Sequence, residues 1–563
     1  MKRKTARHHA TGLGARFKLS FPHLKALIAL AGGSVVLASP LEARQRPNII
    51  FILCDDMGYG DLGCYGQKLI DTPNLDRMAA EGMRFTQAYA GSPVSAPSRA
   101  SLMTGQHTGH THVRGNREYW QRSLTPHMFG DNADYSVIGQ EPYLCTHPIM
   151  PEVMKEAGYS TGMFGKWAGG YYNLAYPDTY LRTADGNSDT SRSDESSSAS
   201  LPHLRGIDCY YGYICQFQAH SYYPNFLNRY DPVKYGDSCI VVDTLKQNIR
   251  RKSVATGDPD YELRTQYSSD LIHRYALDWL DRQTADRPFF GIFTYTLPHA
   301  ELWQPKDSLL RKYTERFIGD DSPFGGSFGS WYYSNEARHA QFAAMISRLD
   351  AQVGEIFDKL KEKGLDENTL VIFTSDNGPH EEGGADPQWF GRDGALRGLK
   401  RSTYEGGIRV PFIAKGPGVP SGTVNSHVLA FYDVMPTLMD YAGVKGHTHR
   451  LGSRQEQEVY DGISFYRSLT GKKRQRQHEF LYWEFHETDM MALRMGDWKL
   501  VVKHGEPHLY DLATDIHEDR DVASSHPAIV QKMVEVIRRE HTDSPLFPIT
   551  LPSTTGTNLS KEQ

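Results

Sequence analysis

The sequence predicts an α/β protein built on a mostly parallel sheet, and three observations carry that expectation. Apolar, β-rich runs at 48–54, 289–297 and 369–375 each break off at polar groups. That is the pattern of strands buried on both faces, with a site at their carboxyl ends. Long stretches at 269–283 and 338–363 place apolar residues at helical spacing. A chain of 563 residues also has room for a smaller second domain beside a large one.

Composition narrows the class. Hydrophobic residues make up 39% and aromatic residues 11% of the chain, as in an ordinary globular protein. The first 43 residues hold Lys2, Arg3, Lys4, Arg7, Arg16, Lys18 and Lys25 against one acid, Glu42, so the net charge of −5 becomes about −11 without them. An acidic body argues against a nucleic-acid partner, and an anionic substrate would need a locally basic pocket. The basic cluster precedes an apolar run at 26–38, shorter than the roughly 20 residues that span a membrane. With Ala43 at a plausible cleavage point, 1–43 reads as a cleaved signal peptide and the mature chain as periplasmic or secreted. Six cysteines (Cys54, Cys64, Cys145, Cys209, Cys215, Cys239) form no C-x-x-C pair, which argues against zinc. An exported chain permits disulfides among them, with no pairing legible.

Taken in order, the first apolar run ends in Asp55-Asp56. Adjacent carboxylates repel unless a positive group separates them, and a hard cation with oxygen ligands does so. Residues 72–79 read as a capped helix with an apolar stripe. Ser95-Ala96-Pro97-Ser98-Arg99 then places a small residue and a proline at the start of a helix. Its free N–H groups favour an anion, and Arg99 returns a forked donor to the same mouth. A bare motif of this kind is also an ordinary N-cap. His107, His110 and His112 lie close together, as a transition-metal site would require, yet lack partners at suitable spacing and fit better as a polar rim. A second strand and loop cover 158–167, and 183–201, rich in Ser and Asp, reads as a flexible insertion. The aromatic stretch at 210–224 serves equally as core or as a sugar-stacking wall, with His220 a substrate-side candidate. Asp376 and Asn377 close the third run with a carboxylate and an amide oxygen, suited to Ca2+ or Mg2+ rather than a soft metal. Residues 432–442 read as a late helix and 446–459 as a linker. Short strands at 480–485, 492–502 and 507–512 and a helix near 529–539 follow.

The Ser95-Ala96-Pro97-Ser98-Arg99 motif with its Leu-Met-Thr-Gly continuation resembles the signature of the type I, formylglycine-dependent sulfatases. So do the Asp-Asp strand end, Gly158-Tyr159-x-Thr161 through Gly165-Lys166-Trp167, Pro298-His299, Asp376-Asn377-Gly378 and Lys400 with Glu405-Gly406-Gly407-Ile408-Arg409-Val410-Pro411. The likeness runs from about Pro47 to Val522 and implies the alkaline-phosphatase-like sandwich with a small C-terminal antiparallel α+β subdomain. It implies a catalytic domain at 44–455, a C-terminal subdomain at 456–545 and a disordered tail at 546–563. It further implies that a serine-type maturase oxidises Ser95 to formylglycine, whose hydrate is the nucleophile. By resemblance, one Ca2+ is held by Asp55, Asp56, residue 95, Asp376 and Asn377. Arg99, Lys166 and Lys400 bind sulfate, and His299 or Lys400 protonates the leaving group. Where many members carry a further histidine, this chain has Ala168, leaving His110, His112 or the hydrate itself for that step. The substrate expected is a sulfated carbohydrate, with His110, His220, Glu301, Glu381 and Trp389 as pocket candidates by neighbourhood. A phosphonate or phosphodiester hydrolase, or a glycan-binding protein with unmodified Ser95, are the alternatives.

Overall fold

A computed structural model describes residues 46–553 except 121–136, 145–146, 174–199, 215, 249–262, 320–336 and 445–459. The expected leader, nearly all of the Ser/Asp-rich insertion, the linker, and Cys145 and Cys215 therefore lie outside the described residues.

Ten strands form the main sheet: β1 (Asn48–Cys54), β2 (Met83–Phe85), β3 (Ser160–Lys166), β4 (Cys209–Tyr213), β5 (Phe226–Tyr230), β6 (Val241–Thr244), β7 (Phe289–Thr294), β8 (Thr369–Ser375), β9 (Phe412–Lys415) and β10 (Thr423–Asn425). Their order is β6-β5-β4-β3-β7-β1-β8-β9-β2-β10. The five central strands, β4 to β8 in that order, run parallel, and the sheet turns antiparallel on both flanks. β1 sits in the middle, paired from Ile49↔Phe290 on one side and from Asn48↔Thr369 on the other. All seven of its residues are buried, the consequence of helices on both faces.

Alternation of side chains along β1 decides which helices it meets. Ile50, Ile52 and Cys54 pack with α1 (Pro73–Glu81), α4 (Ser268–Asp281), α5 (Ser308–Arg316) and α6 (Arg338–Glu362). Ile49, Phe51 and Leu53 pack with α2 (Ser95–Thr104), α3 (Met150–Glu156) and α7 (Val434–Tyr441). The architecture is the alkaline-phosphatase-like sandwich expected.

A separate antiparallel sheet follows: β11 (Leu481–Phe485), β12 (Met490–Met495), β13 (Trp498–Lys503) and β14 (Glu506–Asp511). The run 492–502, read from sequence as one strand, is two. Gly496 at φ +60° turns the chain between Met495 and Trp498, which pair across the hairpin; glycine adopts that conformation without a β-carbon clash. One face of this sheet meets Tyr89, Ile408 and Tyr432 of the larger part. The other is covered by α8 (Pro527–Glu540) through Met533, Val534 and Ile537. Residues 546–553 of the tail expected to be disordered are held against the body, and 554–563 lie outside the described residues. Phe547 is buried, Thr550 N–H donates to Asp489 Oδ1 at 2.7 Å and Arg538 donates to Pro552 O at 2.7 Å. Among the described residues, no helix is long and apolar enough to cross a membrane.

Candidate functional site

Because β3, β7, β1 and β8 run parallel, Lys166, the turn to His299, Asp55-Asp56 and Asp376-Asn377 all emerge at one edge of the sheet. α2 points its N-terminus at the same edge, with Ser95 as its first residue and all ten of its residues buried. Ser95 Oγ donates to Asp55 Oδ1 at 2.7 Å, and Lys166 Nζ donates to Asp55 Oδ2 at 2.7 Å. Arg99 pairs with Asp376 Oδ2 through Nε at 2.9 Å and Nη2 at 2.8 Å, and reaches Asp55 Oδ2 at 3.4 Å.

Asp56 faces another way. Its φ of +63° lies in the left-handed region, uncommon for a residue with a β-carbon. Its carboxylate accepts from Asn377 Nδ2 at 2.7 Å and Lys400 Nζ at 2.7 Å. Neighbouring acids thus serve different cations, Lys166 and Arg99 at Asp55 and Lys400 at Asp56. A buried bracket holds this turn. Arg392 donates to Asp56 O at 3.0 Å and His380 O at 2.6 Å, pairs with Asp61 at 3.1 Å and lies 3.9 Å over the Phe342 ring.

His299 stands beside Lys400, with Nε2 3.2 Å from Nζ and 3.4 Å from Asp56 Oδ2. Its Nδ1–H donates to Ala300 O, so Nε2 keeps the lone pair that accepts from the ammonium. The His220 ring stacks with His299 at 5.1 Å and 8°, and the His380 ring with it at 5.9 Å and 23°.

The electrostatics follow from burial and pairing. Burial opposes ionisation of Asp55, but Lys166 and Arg99 outweigh it and hold the carboxyl well below its usual range. Burial likewise opposes Asp56, and Lys400 and His299 bring it down. Asp376 goes the other way: burial, then the neighbouring Asp55 charge, push it up to about 6 despite Arg99. Burial works against the Lys400 cation, yet Asp56 and Glu382 raise its pKa. Burial, then Lys400, lower that of His299.

These groups fit a hard cation. Asp55, Asp56, Asp376 and Ser95 offer oxygen donors, and Asn377 Oδ1 is buried with no hydrogen-bond partner. Asp55, Asp56 and His299 also bring ligand atoms within 4.8 Å of one another.

The sulfatase family profile matches residues 47–444. The chain belongs to the sulfatase family. It hydrolyses sulfate esters. The N-acetylgalactosamine-6-sulfatase of Canis lupus familiaris is 29% identical over 463 residues, covering 81% of this chain and 72% of its own length. The N-acetylgalactosamine-6-O-sulfatase of Bacteroides thetaiotaomicron is 26% identical over 539 residues, 88% of this chain and 93% of that one. The arylsulfatase of Klebsiella aerogenes is 28% identical over 479 residues, 74% and 91% of the two chains. Among solved structures, Ps i-CgsB superposes with a TM-score of 0.64 at 25% identity, covering 91% of this chain and 96% of that one. It has also been solved in complex with k-i-k-neocarrahexaose. The phosphonate monoester hydrolase of Agrobacterium radiobacter shares the fold, with a TM-score of 0.54 at 20% identity and coverage of 90% and 99%.

In this sulfatase the nine residues expected at the centre, Asp55, Asp56, Ser95, Arg99, Lys166, His299, Asp376, Asn377 and Lys400, stand within one network of contacts. The pocket candidates divide. His220 joins them through its ring contact, whereas Glu301 is buried and accepts from Tyr222 N–H at 2.8 Å, fixing the loop beneath His299. Trp389 lies at the surface, stacked on His339 at 4.1 Å. Glu381 is only partly buried, and Glu382 beside it contacts Lys400 at 3.0 Å and Arg401 at 2.6 Å. His110 donates to Asp461 at 2.9 Å and stacks on His107, and His112 pairs with Glu141 at 2.6 Å. Neither His110 nor His112 exchanges a hydrogen bond or ion pair with the carboxylate cage, among the described residues. His107 Nδ1 accepts from Gly109 N–H, and His107, His110 and Glu540, a partner far away in sequence, bring ligand atoms within 4.8 Å of one another. Tyr210, Tyr211, Tyr213, Tyr222 and Tyr223 are buried, so the aromatic stretch is core and not a sugar wall. Sequence reasoning missed His380, Glu382 and Arg392; the one available signal was the closeness of His380 and Glu382 to Asp376-Asn377.

Proposed function

We propose that this sulfatase removes sulfate from sulfated glycans after a serine-type maturase has oxidised Ser95 to formylglycine, with Ca2+ held by Asp55, Asp56, Asp376, Asn377 and residue 95. The observation that carries the reading is the buried cage itself: a set of oxygen donors, an orphaned Asn377 Oδ1, and three cations converging beside the α2 mouth. The glycan substrate is supported by the N-acetylgalactosamine sulfatases and the oligosaccharide complex among its likenesses.

When bound, Ca2+ supplies charge neutralisation at the sulfate and eases deprotonation at residue 95. Oxidised residue 95 supplies a hydrated aldehyde that can both attack and release, where a serine would be left as a stable ester. The rest falls to the chain's own side chains. Arg99, Lys166 and Lys400 bind the sulfate oxygens as their charge develops. Lys400 holds the proton at Nζ, because Asp56 and Glu382 keep its pKa up, and His299 Nε2 accepts a hydrogen bond from it. That pair protonates the departing sugar oxygen. Burial of every member, with side-chain exposures of 0–3%, excludes water and strengthens each contact. The leader places the mature chain in the periplasm or outside the cell. We assign 44–455 to the catalytic domain and 456–545 to the C-terminal subdomain.

The test is the mass of the residue-95 peptide from a maturation-competent host, combined with turnover of an aryl sulfate and an aryl phosphodiester. Loss of two hydrogens with preferred sulfate turnover is expected. Unmodified Ser95 in a chain that binds sulfated glycans without turning them over would favour the binding-protein alternative.

A further inference from the structure

One cation of the cage reaches solvent. The Arg401 side chain is 27% exposed, while that of Lys400 immediately before it is 3% exposed. A single carboxylate serves both: Glu382 Oε1 lies 2.6 Å from Arg401 Nη1, and Oε2 lies 3.0 Å from Lys400 Nζ. Arg401 has φ +73°, a region that a β-carbon disfavours and that persists only when surroundings impose it. Backbone contacts on both sides of Arg401 impose it. Arg401 N–H donates to Pro93 O at 2.9 Å, two residues before Ser95. Its C=O accepts from Thr488 Oγ1 at 3.1 Å, on the connection between β11 and β12. The same connection presents Glu487, whose Oε1 accepts from Asn116 N–H at 2.6 Å. Asn116 in turn accepts from Ala96 N–H at 3.4 Å, beside residue 95. The border of the cage is therefore tied together from the α2 mouth, the Lys400 segment and the C-terminal sheet.

We propose that Arg401 forms an anion subsite at this border, binding a second negative group on the substrate, sulfate or carboxylate, next to the ester being cleaved. This deepens the sulfatase reading and rests on it. Lys400 is answered by Asp56 as well as by Glu382, which leaves the partly exposed Arg401 guanidinium as the partner of Glu382 on the solvent side. A planar guanidinium with five donors can hold Glu382 and a substrate anion at once, in the forked geometry that suits either group. The chain as a whole is acidic, with a formal charge of −5. A saccharide with extra anionic groups would otherwise meet a repelling field outside the cage.

The test compares matched saccharides that carry the same scissile sulfate, with no second anion, with a second sulfate, or with a carboxylate. Wild type is expected to prefer at least one doubly charged substrate by about tenfold or more in kcat/KM. Which one it prefers identifies the group recognised. In Arg401→Ala that preference falls to about one through a higher KM for the charged substrate, and Arg401→Lys recovers part of it. Titration calorimetry on chain that retains unmodified Ser95, with the same saccharides, should show the same ranking without turnover. Equal losses by Arg401→Ala on all three substrates would overturn the subsite and leave Arg401 only a partner of Glu382. No wild-type preference would overturn it as well. Absence of turnover on every sulfate ester with fully oxidised residue 95 would instead strike the sulfatase reading itself.

Discussion

Replacing Lys400 by alanine tests the cage at the point where three of its members meet. The ammonium lies 2.7 Å from Asp56 Oδ2, 3.0 Å from Glu382 Oε2 and 3.2 Å from His299 Nε2. Breaking a buried ion pair from one side costs about 3–5 kcal/mol, because the remaining charge stays desolvated. Glu382 keeps Arg401 at 2.6 Å and Asp56 keeps the Asn377 amide, which puts the expected loss of stability near the lower bound, about 3 kcal/mol. Turnover should suffer more than folding. Losing one preorganised donor to developing charge lowers kcat by about 10²-fold or more, and here the proton held at Nζ goes with it. The assay is kcat/KM for an aryl sulfate beside calorimetric unfolding, with residue-95 oxidation measured by mass so that failed maturation is not mistaken for lost catalysis. Lys400→Arg, which restores the charge but not its point geometry, should regain stability before it regains turnover. A fully oxidised Lys400→Ala protein within about threefold of wild-type kcat/KM would refute the role given to this lysine.

Three further outcomes are expected. A β-carbon on Gly378 would stand 1.9 Å from Gly406 O and 2.9 Å from Gly407 Cα. Gly378→Ala should therefore push the Asn377 and Lys400 segments apart, cutting aryl sulfatase activity and costing about 1–3 kcal/mol in denaturant unfolding. Chelation should lower the unfolding temperature, and Ca2+ at 100 times its Kd should restore about 2.7 kcal/mol; an unfolding temperature indifferent to both would refute the cation assignment. Glu518, buried beside Glu405 and Lys499, is pushed by burial from its ordinary 4.5 up to about 7. The fold favours its protonated form, so that contribution is complete below pH 4.5 and lost as pH rises through 7. Glu518→Gln should flatten the pH dependence of unfolding across that window, and an unchanged slope would count against it.

Much of this protein was legible from local pattern. Strands with both faces buried announce themselves as apolar runs, and parallel strands deliver their terminal residues to one edge. The Asp55-Asp56 and Asp376-Asn377 ends could therefore be assigned together from pattern, and His299 joined them through the family resemblance. The Ser95 motif announced a helix mouth, a local object, and the resemblance to the sulfatase signature made that mouth a site. What local pattern could not supply was direction. Glu381 and Glu382 are adjacent and chemically alike, and only the turn after Asn377 puts the second one on Lys400. Trp389 and His110 are near the motifs in sequence but are drawn to His339 and Asp461. His380 and Arg392 became part of the site because the 376–400 segment folds back under Asp56, and a positive φ at Asp56 separates two carboxylates that the sequence merely sets side by side. The sequence by itself determined the chemical inventory and the sheet edge that collects it. The tertiary structure alone decided which of two neighbouring side chains faces the cage, because that depends on backbone turns and partners hundreds of residues away.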